Sequence, residues 1–342
     1  MLENKRGRIL FPGWVYKRRL GCMEKILYEI KDAKSIGISG HIRPDGDCIG
    51  SCMALYFYLK QNLSKDVVID IYLEPIPKEY KLWEETTLIK QENDQKIVYD
   101  LFISLDNGSL ERLGFSKVFF ETAKRTMDID HHISNNRFAD VNHIIDTSSS
   151  TCEVLFDLFE EDKIDKKTAE ALYLGIVHDT GVFKHSNTSS KTMKIAGKLI
   201  EKEIPFSKII DETFFQKTYV QNQILGRCLL ESYLVLEGKC IISAVSQKTL
   251  EFYHAVPSDL DGIIDQLRVT DGVEVAVLIH ETGFHQYKVS MRANGDIDVR
   301  KIAENFGGGG HIKAAGCTLK GTLHDAINNL IFYIDHQLSY RR

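Results

Sequence analysis

"SIGISGHIRPDGDCIGSCMALYFYLKQNL", residues 35–63, carries the fold and the chemistry of this chain in compressed form. "SIGIS" (35–39) is short, apolar and β-branched, and reads as a buried strand. "IGSCMALYFYLKQNL" (49–63) reads as a helix, with Ile49, Met53, Phe57 and Leu63 near helical spacing. The turn between them sets His41, Asp45 and Asp47 within seven residues. On its own such a group is a helix cap and a turn with solvated charges. Whether the three are ligands depends on partners elsewhere in the chain.

The strand–helix rhythm continues. "VVIDIYL" (67–73), "YDLFISLD" (99–106) and "RTMDID" (125–130) read as strands. "TCEVLFDLFEED" (151–162) and "TAEALYLGIVHD" (168–179) read as helices. This alternation implies an α/β fold, a parallel sheet covered on both faces. Ligands of such sheets bind beyond the carboxyl ends of the strands. From about residue 186 to 231 the chain is helical and fairly polar. From 232 it is strand-rich, in "SYLVLEG", "KCIISAVS", "VEVAVLIHE" and "QYKVSMR", followed by a Gly-rich turn, "FGGGGHIKAAG" (306–316). The expected layout is an N-terminal extension (1–22), a parallel-sheet domain (23–185), a helical connector (186–231) and a smaller α+β domain (232–342). A cleft is expected at the interface of the two domains.

Composition sets the bounds. Hydrophobic residues are 43% and charged residues 27% of 342, as in soluble globular proteins. The net charge of −5 argues against sequence-independent binding to long duplex DNA, which favours a basic face. The seven cysteines include no CxxC pair and fit reduced thiols, not a disulfide framework. No apolar run approaches the ~20 residues needed to cross a bilayer. A cytoplasmic setting is therefore expected. Residues 1–22 are basic, carrying Lys5, Arg6, Arg8, Lys17, Arg18 and Arg19 against Glu3, and read as a disordered extension or an upstream start.

Partners for the first turn do occur. Asp106 closes "LFISLD", Asp130-His131-His132 closes "TMDID", and His178-Asp179 ends an apolar helix. Each alone has a plain structural explanation. Together they place acids and histidines at three strand ends, where carboxylates without a cation would repel one another. Carboxylate and imidazole donors without thiolates favour manganese or a related divalent ion over a structural zinc. The donors are too many for one ion. Two ions ~3.5–4 Å apart, sharing a carboxylate, are the usual device for displacement at phosphorus.

Taken in order, these motifs resemble the DHH phosphoesterase family. "HIRPDGDCIGS" is similar to its first motif, Asp106 to its second, "DIDHH" to its third and "GIVHDTGVF" to its fourth. "VSMRANGDIDVRKIAENFGGGGHIKAAG" resembles the DHH-associated C-terminal domain. Length and the lack of added modules resemble the NrnA-type branch, which degrades very short RNA and removes the 3′-phosphate of 3′-phosphoadenosine 5′-phosphate. The resemblance implies His41, Asp45 and Asp106 on one metal, and Asp47, Asp106, His131 and Asp179 on the other. It implies that Asp130 orients a ligand histidine and that His132 faces the scissile phosphate. Arg292, Gly307, Gly308, Gly309, Gly310 and His311 would hold the substrate. Cys48 and Cys52 are expected to be packing residues, and Arg300 departs from the family pattern. The implied activity is hydrolysis of short oligoribonucleotides or 3′-phosphoadenosine 5′-phosphate with two manganese ions. A cyclic- or linear-dinucleotide phosphodiesterase and a catalytically silent nucleotide-binding regulator stay open as alternatives, as does a homodimer.

Overall fold

The computed structural model describes residues 25–92 and 97–339; the basic segment 1–22 and the expected domain start at 23 lie outside them. The chain divides into two units between Gln216 and Lys217, inside the helical stretch 186–231.

In the first unit, β1 (Ser35–Ser39), β2 (Val68–Tyr72), β3 (Leu101–Leu105), β4 (Arg125–Asp130) and β5 (Val141–Ile144) form a sheet. All neighbours are parallel, in the order β2-β1-β3-β4-β5. The helices are α1 (Ile26–Glu29), α2 (Gly46–Asn62), α3 (Lys117–Thr122), α4 (Thr151–Leu158), α5 (Lys166–Asp179), α6 (Ser190–Ile200) and α7 (Phe206–Ile210). Side chains alternate along each strand. Ile36, Ile38, Ile103, Leu105, Met127 and Ile129 therefore join α2, α4 and α5 in one core. Phe102 joins Tyr72, Tyr99, Phe119 and Phe120 in an aromatic core on the other face. Both faces are covered, as the strand–helix rhythm implies.

The differences from the sequence reading have local causes. β3 is shorter than residues 99–106 because Asp106 takes a left-handed backbone, φ 56°, which ends the ladder. α2 starts three residues earlier than 49, because Asp45 caps it by accepting the N–H groups of Asp47 and Cys48 (3.2 and 3.1 Å). Its residues Gly46–Leu59 are all buried, so it lacks the polar face that marks a helix in sequence. α4 stops at Leu158, where Phe159 leaves the helix and stacks on Tyr58 at 3.8 Å. β5 was not anticipated: "VNHI" is half-buried at the sheet edge and has no apolar run.

The second unit contains α8 (Tyr219–Leu230), β6 (Tyr233–Val235), β7 (Cys240–Val245), α9 (Gln247–Tyr253), α10 (Ile263–Arg268), β8 (Val275–Gly283) and β9 (Gln286–Ala293), then α11 (Val299–Glu304), β10 (Gly309–His311), β11 (Ala314–Lys320) and α12 (Leu323–Ser339). Its mixed six-stranded sheet runs β10-β11-β9-β8-β7-β6. Only β7 and β8 pair in parallel. The Gly-rich stretch is not simply a turn. Gly309–His311 pair with Ala314–Gly316 as a hairpin laid along the sheet edge. Gly308 permits this, since a Cβ there would stand 2.2 Å from the Gly316 carbonyl oxygen. Among the described residues, no helix is long and apolar enough to cross a membrane.

Candidate active site

Strand ends set the site, because parallel strands deliver their carboxyl ends to one edge of the sheet. Past β1 the chain turns through His41, which is 5% exposed. Its Nδ1 lies 2.8 Å from the Ile42 carbonyl oxygen. That fixes the ring and aims Nε2 at Asp106 Oδ2 (3.4 Å) and Asp45 Oδ2 (3.6 Å). The other oxygen of Asp45 is occupied by capping, so one stays directed at His41.

Asp106 lies between two groups. Oδ2 faces His41, while Oδ1 faces His131 Nε2 (3.7 Å) and His132 Nδ1 (3.6 Å). His131 Nε2 also lies 3.1 Å from Asp179 Oδ2 at the end of α5. Asp47, His131 and Asp179 converge closely enough to share one cation. His41 and Asp106 converge likewise, with the buried Cys48 sulfur beside them. All six residues expected as ligands, His41, Asp45, Asp47, Asp106, His131 and Asp179, are thus brought together.

The start of α4 holds two of them and was missed in the sequence. Thr151 and Cys152 donate their N–H groups to Asp47 (2.7 and 3.1 Å), and the Thr151 hydroxyl donates to Asp106 Oδ1 (3.0 Å). A carboxylate at a helix N-terminus meets unpaired amides and the positive end of the dipole. Gly175 on α5 makes room for it, since a Cβ there would stand 2.4 Å from Asp47 Oδ1. The signal available is "SSST" (148–151) ahead of an apolar run, the mark of a capped helix start.

Asp130 corrects one expectation. Its Oδ1 accepts the N–H groups of His131 and His132 (2.7 and 3.1 Å) and His132 Nδ1 (2.7 Å). It therefore orients the ring of His132, not that of His131, because the chain curls tightly over that oxygen after β4. The His131 ring is held instead toward the Ser148 carbonyl, 3.3 Å away. A second missed residue, Asn135, donates Nδ2 to both Asp130 and Asp128 (2.7 Å each). Burial, with the Asp130 charge, lifts Asp128 to about 8.

The electrostatics fit a cation. Burial and then the charges of Asp106 and Asp179 push the Asp47 carboxyl well above its usual range. Burial, with Asp106 and Asp45, lifts Asp179 to about 7. Burial disfavours a charged His41, but Asp106 and Asp45 outweigh it and raise the ring to about 11. Asp130 raises His132 to about 9. Carboxyls raised by burial and by one another gain from any positive charge set among them. A divalent ion would supply that charge. His178, the other residue of the fourth motif, turns away from the cluster. Burial holds it neutral at about 4.

In the second unit a cavity of about 590 Å³ is lined by Lys288, Ser290, Arg292, Gly307, Gly308 and Gly309, among others. The Arg292 guanidinium reaches the Met291 carbonyl (3.2 Å) and Asp265 (3.6 Å). Gly310 and His311, further along β10 than Gly309, do not line this cavity. Arg300 pairs with Asp298 (3.3 Å) and Glu304 (3.8 Å) on its own helix turn. Cys48 and Cys52 are fully buried, as packing residues are.

Residues 35–176 match the DHH family, N-terminal domain, and residues 238–339 match the DHHA1 domain. The bifunctional oligoribonuclease and PAP phosphatase NrnA of Bacillus subtilis is 26% identical over 284 residues, 82% of this chain and 87% of that protein. The protein of the same name from Thermus thermophilus is 28% identical over 294 residues, 84% of each. An exopolyphosphatase-related protein from Bacteroides fragilis shares the fold, with a TM-score of 0.79 over 90% of this chain and 93% of that one at 23% identity. The chain thus carries a DHH family N-terminal domain followed by a DHHA1 domain.

Proposed function

We propose that the chain hydrolyses short oligoribonucleotides and 3′-phosphoadenosine 5′-phosphate, using two divalent ions, manganese by preference. The observation that carries this reading is Asp106. Its two oxygens face two separate donor sets, His41 with Asp45 on one side and His131, Asp47 and Asp179 on the other. One carboxylate common to both is what a paired site requires. When bound, the ions supply Lewis acidity toward phosphoryl oxygens and water.

The chain's own residues supply the rest. His132 is held by Asp130 through Nδ1, which leaves Nε2 outward. The Asp130 carboxylate favours its protonated form, which donates a hydrogen bond to a phosphate oxygen or a proton to the leaving oxygen. Arg292 and the amides of Gly307–Gly309 hold the phosphate of the terminal nucleotide. The names of the two NrnA relatives support the substrate class. A cytoplasmic setting belongs to this reading, supported by six buried, free cysteines among the described residues.

The test is turnover of the dinucleotide pApA and of 3′-phosphoadenosine 5′-phosphate before chelation, after it, and after manganese is restored. Loss and recovery of both activities is the expected result. Turnover that survives chelation defeats the metal assignment, and manganese-loaded protein inert on both substrates defeats the substrate class.

A further inference from the structure

His132 stands on the loop that follows β4, with its side chain 40% exposed. A side chain in such a place swings unless something ties it, and the ties here are specific. Asp130 Oδ1 accepts the N–H groups of His131 and His132, so it is an acceptor toward the ring as well. His132 Nδ1 therefore carries the hydrogen of the 2.7 Å bond between them. The Asn135 N–H donates to the His132 carbonyl (3.1 Å) and closes the chain into a turn. The Asn135 side chain then reaches back to the second oxygen of Asp130, Oδ2, at 2.7 Å.

Asn135 is itself fixed. Its Oδ1 accepts the Arg137 N–H (2.7 Å), so the amide nitrogen, not the oxygen, faces the acids. That nitrogen meets three acceptors: Asp130 Oδ2, Asp128 Oδ2 (2.7 Å) and the Asn107 carbonyl (3.1 Å). It has two hydrogens for three oxygens, and is held from several directions at once. Asp128 and Asp130 alternate with Ile129 along β4, share one face of the sheet and are fully buried. Two carboxylates this close to each other repel, and the Asn135 amide is the donor set between them. A carboxylate bonded at one oxygen only can turn about its last bond. Bonded at both, it cannot, and the ring that leans on it cannot either.

We infer that Asn135 is a positioning residue, which locks the Asp130 carboxylate through Oδ2 and so fixes the ring of His132 in its working orientation. This rests on the role proposed for His132 above. Among the described residues, none of the bonds of Asn135 goes to the six convergent donors. Its loss should therefore spare metal binding. If Asn135 served only to satisfy buried acids, its loss would lower stability and leave the His132 ring as it is.

The test is a double-mutant cycle on pApA with Asn135→Ala, His132→Ala and the two combined. Asn135→Ala should lower kcat/KM roughly ten- to a hundredfold, with manganese content at the parental level. His132→Ala should lower it further. Adding Asn135→Ala to His132→Ala should cost nothing more, within about twofold, because no ring is left to place. Equal losses in both backgrounds overturn the inference, as does parental turnover by Asn135→Ala. Asn135→Ser takes its place if Asn135→Ala fails to fold, and is judged by the same cycle. If His132→Ala turns over like the parent, or the parent is inert, the function proposed above falls and a second measurement decides the positioning. With diamagnetic magnesium in place of manganese, NMR spectra of isotope-labelled histidine should show the His132 ring with its proton on Nδ1. Those signals, identified by their loss in His132→Ala, should shift and broaden in Asn135→Ala. Ring signals that the loss of Asn135 leaves unchanged overturn the inference, whatever the activity.

Discussion

The two units hold their polar groups in opposite ways. The first collects charged side chains at strand ends, where Asp47, Asp106 and Asp179 crowd together and His41 is drawn into protonation. The second builds its cavity from backbone, with Gly307–Gly309 at one side and a single guanidinium, already tethered to Asp265, at the other. A cluster of like charges is costly until a cation arrives. Backbone amides carry no net charge, need no partner ion and cannot titrate. The first unit should therefore respond strongly to metal, pH and single substitutions, and the second weakly.

The largest effect should come from Asp106. Asp106→Asn keeps the shape but removes the charge that faces both donor sets. Bound manganese should drop from about two ions per chain to less than one, with turnover lost on every substrate. Full metal content by elemental analysis would break the contrast at its centre.

Thr151→Val comes next. It removes the hydroxyl bond to Asp106 but leaves the backbone N–H on Asp47. Groups that orient metal ligands typically contribute 10–100-fold, and manganese affinity should weaken by about that much. Titration calorimetry showing parental affinity would mean that the backbone amides alone hold the site.

Arg292→Ala probes the other unit. It should keep manganese affinity and the melting temperature while losing a charge-assisted phosphate contact of roughly 1.5–3 kcal/mol, about ten- to a hundredfold in kcat/KM on pApA. A fall in metal affinity would contradict the division of roles.

The smallest effect is in stability against pH. The folded-state values of Asp47, Asp179, His132 and His41 are all raised, so the folded chain binds more protons than the unfolded one. Their contribution is complete below the unfolded values and is lost as pH rises through the folded ones. Chelator-treated protein should therefore lose a few degrees of melting temperature between about pH 5 and 8. Saturating manganese should flatten or reverse the trend. A chelated protein that grows more stable over this range would mean that the carboxyls are not crowded as described.

The sequence made some of this legible and hid the rest for physical reasons. β1 and β4 coincide with their sequence runs because Ile36, Ile38, Met127 and Ile129 alternate with small or polar residues and mark the face turned to the core. The convergence of His41, Asp45, Asp47, Asp106, His131 and Asp179 was readable because their motifs follow strands or close a helix. Thr151 and Asn135 were not, since serine, threonine and asparagine near helix starts and turns have ordinary capping roles there. The partner of Asp130 was misread because two adjacent histidines cannot be told apart without the curl of the chain.

Asp106 also has a consequence for what substitutions the chain can accept. Its φ of 56° suits glycine and, among residues with side chains, mainly asparagine and aspartate. Asparagine fits the bend and lacks the charge. Glutamate has the charge, but a longer arm and a poorer fit to the bend. Glycine relaxes the bend and brings no donor at all. Of the twenty residues, only one meets both demands. The position therefore has no neutral neighbour in sequence space, and any drift from it must be carried by change at a second site at the same time.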